Sequence, residues 1–154
     1  MQKSLEGSKP KIMIIDDVDQ NLKALANILE KNSYDIFIAQ SSAEALQSFK
    51  IFRPDLILLN IMLHEIDGFT LAELIKSNPD LSNIPIIFLI SSPTEKIISH
   101  TFEVGAVDYI KIPFNSKELL TRIKTQIDLN LSKDQIAQKI DQISKMNEKL
   151  EETK

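Results

Sequence analysis

The sequence predicts an α/β fold built on a parallel sheet with helices on both faces. Two observations carry this. Five short apolar runs alternate with longer segments of helical spacing. The runs are almost continuously apolar, as strands covered on both faces are. The 154 residues suffice for one domain with a full core and a modest surplus.

Residues 1–10 are polar, carry Gly7 and Pro10, and are expected to be a disordered lead-in. The strands are expected at Ile12–Ile15, Ile36–Ile38, Leu56–Leu59, Ile86–Ile90 and Val107–Ile110. After the first, Leu22, Leu25, Ala26 and Leu29 recur at helical spacing. Ser41 with Glu44 reads as a capping box ahead of Ala45 and Leu46. In Ser92-Pro93-Thr94-Glu95, the serine reads as a cap and the proline as the first helical residue. Asn115 with Glu118 opens the last helix in the same way.

Beyond residue 130 glycine, proline and aromatics disappear. Leu129, Ile136, Ile140, Ile143 and Leu150 form one seam with steps of three, four or seven. With Ile140 at heptad position a, Lys133 and Asn147 also fall at a, and Ile136, Ile143 and Leu150 at d. Residues 130–154 are therefore expected to be a helical extension and candidate coiled coil. The helix either runs on unbroken or restarts near residues 130–132, where Ser132 and Gln135 offer a fresh cap.

Composition removes several function classes. Without cysteine there are no disulfides, zinc thiolates or cysteine nucleophiles. Eighteen basic against 22 acidic residues leave a net charge of -4, which disfavours nucleic acid as a partner. There is no apolar stretch of membrane-spanning length, and no signal-peptide pattern at the start. A cytoplasmic location is the expectation.

In open parallel sheets ligands bind beyond the carboxyl ends of the strands, at the switch point of the topology. The first strand ends there in Asp16-Asp17, the third in Asn60, the fourth in Ile90-Ser91 and the fifth in Lys111-Ile112-Pro113. Adjacent carboxylates repel unless a cation sits between them, and a hydrated Mg²⁺ suits such a pair. The alternative is that Asp17 simply caps the helix that follows. The two histidines, His64 and His100, lack ligand spacing and read as surface residues.

From Lys11 to about Leu129 the chain resembles the response-regulator receiver (CheY-like) family. The resemblance rests on IMIIDDVDQNLKALANILE, RPDLILLNIMLHEIDGF, IPIIFLISS and FEVGAVDYIKIPFNSKELLTRI. It implies a flavodoxin-like, doubly wound sheet of five parallel strands in order 2-1-3-4-5, flanked by five helices. It also implies a receiver domain over residues 11–129. In that family a histidine kinase passes a phosphoryl group to an aspartate at the end of the third strand. Mg²⁺ is held by the acidic pair, that aspartate and a backbone carbonyl two residues on. A Thr or Ser and a Lys bind the phosphoryl oxygens, and an aromatic on the fifth strand follows the switch.

Carried over, the acidic pair is kept as Asp16 and Asp17, the carbonyl donor is Met62, and the switch aromatic is Tyr109. The phosphoacceptor position holds Asn60, the Thr/Ser position Ile90 and the Lys position Ile112. His64 replaces the usual loop proline, while Asp67-Gly68 is kept. An amide is not the anionic nucleophile of this chemistry, and isoleucine neither donates to phosphoryl oxygens nor offsets their charge. The expectation is a degenerate pseudo-receiver in two-component signal transduction. It is expected to lack enzymatic activity, bind Mg²⁺ weakly at most, and act through protein contacts. Those contacts are with a histidine kinase or output module, and with a second copy along the seam. The alternative is a conventional phosphoacceptor receiver, either using the neighbouring Ser91 and Lys111 or carrying an inactivating substitution. A flavin-binding domain fits less well, because Asp16-Asp17-Val18-Asp19 stands where its phosphate loop would be.

Overall fold

The computed structural model describes residues 9–64 and 66–152, the last four of these by backbone alone. The first eight residues of the expected lead-in lie outside them. Pro10 is already tied to the body, since its carbonyl accepts from Asp35 N–H at 3.0 Å.

The elements alternate as β1 (Lys11–Ile15), α1 (Asp19–Lys31), β2 (Asp35–Ala39), α2 (Ser42–Ser48), β3 (Leu56–Asn60), α3 (Gly68–Ser77), β4 (Ile86–Ile90), α4 (Glu95–Glu103), β5 (Asp108–Lys111) and α5 (Ser116–Glu152). The strands form one parallel sheet in the order β2-β1-β3-β4-β5. Each expected strand is present, shifted by one residue at most ends. The fifth starts at Asp108 rather than Val107, and Val107 N–H donates to Ile86 O at 2.9 Å.

Strand side chains alternate between two cores. Met13, Ile15, Ile57, Leu59, Phe88 and Ile90 face one, closed by Ala45 of α2 and Leu71, Ala72 and Ile75 of α3. Ile12, Ile14, Leu58, Leu89 and Ile110 face the other, closed by Leu22, Leu25 and Leu29 of α1 and by Leu119, Ile123 and Ile127 of α5. Every residue of β3 and β4 is buried, which explains why those runs are continuously apolar.

Local capping chemistry sets the helix starts. Ser41 Oγ accepts from Glu44 N–H at 3.0 Å, while the Glu44 carboxylate reaches back to Gln40 N–H at 2.7 Å. Asn115 Oδ1 accepts from Glu118 N–H at 3.0 Å. The fourth helix starts later than expected: its cap is Thr94, which accepts from Ile97 N–H at 3.2 Å, not Ser92. Both hydroxyls have the capping chemistry. Ser92 instead gives its carbonyl to Thr94 N–H, so Pro93 lies in the turn leaving β4. The last helix passes residues 130–132 without a break, and Leu131 still packs on the sheet.

One glycine fixes the approach of α3 to β3. A Cβ on Gly68 would lie 2.6 Å from both Asn60 O and Ile61 Cα, and backbone does not yield at that distance. Gly68 N–H donates to Ile61 O at 2.9 Å and Asp67 caps the helix onto Thr70 N–H. Gly68→Ala is expected to cost about 2 kcal/mol or more by forcing the helix off the strand end. Urea denaturation of the variant against wild type measures it.

Candidate functional site

The chain leaves β1 toward β2 on one side and returns to β3 on the other, so a crevice opens between the carboxyl ends of β1 and β3. Asp16 and Asp17 follow β1 there, and Asn60 ends β3.

Asp16 has no solvent exposure. Its carboxylate accepts three hydrogen bonds: from Val18 N–H at 3.0 Å, from Asn21 Nδ2 at 3.1 Å and from Asn60 Nδ2 at 3.1 Å. The orientation of the Asn60 amide is determined by its other partner. Met62 N–H, which can only donate, meets Asn60 Oδ1 at 2.8 Å. The NH₂ group must therefore face Asp16. An aspartate at position 60 can make the Met62 contact but has nothing to donate to Asp16.

Asp17 does not cap α1. The cap residue is Val18, without a side-chain bond, and the bond to Val18 N–H comes from Asp16. Asp17 turns to the β3–α3 loop instead. Its Oδ2 accepts from His64 N–H at 3.0 Å and also contacts His64 Nδ1. His64 is a surface residue, as expected, but its contact with Asp17 was not foreseen. His100 is exposed too, with its ring 4.2 Å from that of Phe69.

Ile90 is fully buried in the core shared with α3. Ile112 packs on the opposite core and lines a cavity of about 260 Å³ with Asn21, Ala24, Leu25, Pro113 and Phe114. Neither offers a polar group to the crevice. Ser91 and Lys111 are exposed, and neither hydrogen-bonds to Asp16, Asp17 or Asn60 among the described residues. Tyr109 is half-buried against the α2–α4 side of the sheet. The Met62 side chain is exposed.

These donors fit Mg²⁺ poorly. A hard cation needs oxygen lone pairs. Asp16 already accepts three hydrogen bonds, Asn60 turns an NH₂ group inward, and Asp17 Oδ2 is engaged by His64. Among the described residues no group of three or more His, Cys, Asp or Glu is arranged to hold a metal ion.

The family model described as "Response regulator receiver domain" matches residues 12–124. The chain belongs to the response-regulator receiver family. It is 34% identical over 123 residues to a probable cyclic di-GMP phosphodiesterase of Vibrio cholerae, covering 80% of this chain and 28% of that protein. It is 36% identical over 117 residues to the transcriptional regulatory protein YvrH of Bacillus subtilis, covering 75% of this chain and 48% of that one. The chain thus spans half or less of the length of these curated relatives. A crystal structure of a putative response regulator from Chloroflexus aurantiacus superposes with a TM-score of 0.76 at 30% identity. The match covers 79% of this chain and 99% of that one. The family is one of signalling modules in two-component systems rather than of catalytic enzymes. Among the described residues no helix is long and apolar enough to cross a membrane.

The Asn60 contacts can be tested by removal. Asn60→Ala deprives both Asp16 and Met62 N–H of a partner and is expected to cost about 1–3 kcal/mol. Asn60→Asp sets a second carboxylate against a buried one and is expected to cost at least as much in metal-free buffer. Added Mg²⁺ should recover stability in Asn60→Asp and not in Asn60→Ala. Thermal melts with and without the ion measure both.

Proposed function

We propose that this receiver module signals without phosphoryl transfer, through protein contacts made by a receiver body held in one state. The observation that carries the reading is the Asn60 amide, which donates to Asp16 and accepts from Met62 N–H. The phosphoacceptor position is thereby filled by a group with no nucleophilic oxygen. Ile90 and Ile112 support the same reading, because a phosphoryl group there would meet no hydroxyl and no ammonium. Mg²⁺ binding is weak, since the ion competes with hydrogen-bond donors for Asp16 and gains one carboxylate fewer than in the family.

Its partners are proteins: a histidine kinase, an output module or a second copy of the chain. Nucleic acid is not a direct partner, given the acidic balance of the sequence. The module works in the cytoplasm, where two-component relays operate.

Acetyl phosphate with Mg²⁺, followed by intact-mass spectrometry, tests the reading. Wild type is expected to gain no phosphate, and a stoichiometric adduct would overturn it. Asn60→Asp alone is expected to accept phosphate slowly. The triple variant with Ile90→Thr and Ile112→Lys should exceed it by at least tenfold in rate, because only there does the phosphoryl group find its donors. Equal rates in the two variants would contradict the roles given to Ile90 and Ile112.

A further inference from the structure

The last helix outruns the body it belongs to. Leu119, Ile123, Ile127 and Leu131 pack on the sheet at steps of four. From Ser132 the helix continues to Glu152, an overhang of roughly 30 Å at 1.5 Å per residue. Along that overhang Ile136, Ile140 and Ile143 are 58–59% exposed, and Leu129 at its root is 50% exposed. At 100° per residue this row lies about 150° around the helix from the row that packs on the sheet. Leu129, Lys133 and Ala137 still border a cavity shared with Lys76, Ser82 and Pro85 of the body, so a second helix has free access only farther out, along Ile140 and Ile143. The Leu150 side chain lies outside the described residues.

We infer that the row is a homodimer seam, in which two copies of α5 pair parallel and in register. The inference rests on reading the chain as a protein-interaction module and adds the partner and its orientation. Charge placement supports it. The positions flanking the seam are Asn130, Ser132, Ala137, Lys139, Ser144, Met146 and Glu151, with two charges among them. Apart from Lys133 within the seam and the two at its flanks, the charges of this stretch fall on the far side, where Lys145 pairs with Asp141 at 3.3 Å. A solvated lone helix has no need of that segregation, whereas a paired one does.

The polar residues within the seam choose the orientation. In a parallel pair Asn147 meets Asn147 of the other copy, and two amides satisfy each other. In an antiparallel pair, Asn147 falls opposite Ile136 and stays unsatisfied. Lys133 also occupies an a position, near the body, and its long stem lets the ammonium reach water. The unbroken helix through residues 130–132 then joins the seam rigidly to the sheet and sets the two bodies side by side at one end.

Because the chain has no cysteine, single-cysteine variants of the full protein read the geometry directly. Wild type is expected to sediment as a dimer at high micromolar concentration, with or without acetyl phosphate. Ile136→Cys should form an intermolecular disulfide on mild oxidation, and Asp141→Cys on the outer face should not. An antiparallel pair would leave the two introduced sulfurs about 16 Å apart, beyond bonding reach. Ile140→Asp with Ile143→Asp should sediment as a monomer and keep the melting temperature of the receiver body. A monomeric wild type overturns the inference, as does equal cross-linking at 136 and 141, or a double variant that stays dimeric. A monomer that also refuses phosphate would sink the seam alone. A dimer that takes phosphate would sink the phosphate-independent reading alone.

Discussion

A carboxylate shut away from water at a strand end must find its partners inside the protein, and here the rest of the site is arranged around that need. Asp16 receives one backbone donor from the start of α1 and two side-chain amides, one from α1 and one from β3. Removing any of these leaves a buried acceptor short of a partner. The three bonds also tie β1, α1 and β3 together at the crevice where the topology reverses. A cation could fill the same electrostatic need. In this chain hydrogen-bond donors meet part of that need, and Asn60 supplies one of them.

The ends of the neighbouring strands fit the proposed reading. On the proposed reading no group is transferred once the third strand ends in an amide, and hydroxyl and ammonium at the ends of β4 and β5 would have nothing to hold. Ile90 completes the core against α3, and Ile112 lines an apolar cavity beside α1. Part of what is retained is structural. Asp67 caps α3, and Gly68 lets that helix begin against the backbone of Asn60. Those two residues serve the fold whether or not phosphate is ever bound, which accounts for their presence beside a changed site.

The fold was legible in the sequence because burial on both faces leaves a plain mark. The five strands appear as apolar runs, and Ser41 and Asn115 cap the helices their spacing assigns them. Strand order came from the family resemblance rather than from spacing. The start of α4 was misplaced by two residues because Ser92 and Thr94 carry the same capping chemistry, and only the tertiary path of the turn selects Thr94. At the site, the positions of Asp16, Asp17 and Asn60 were legible, but their bonding was not. Nothing local says that Asn60 faces Asp16 with its nitrogen; the Met62 N–H decides that. Asn21 and His64 were missed because their partners lie across turns and, for His64, 47 residues away. A polar residue in the first turn after an acidic strand end is the one cue that pointed to Asn21.

The central claim is that donors from the protein have taken the place of the cation around Asp16. The direct measurement is a Mg²⁺ titration of the wild-type protein followed through its backbone amide resonances. The account predicts that the amides of Asp16, Asp17, Asn60 and Met62 show no saturable shift below the millimolar range. Saturation of those resonances at micromolar Mg²⁺ would contradict it.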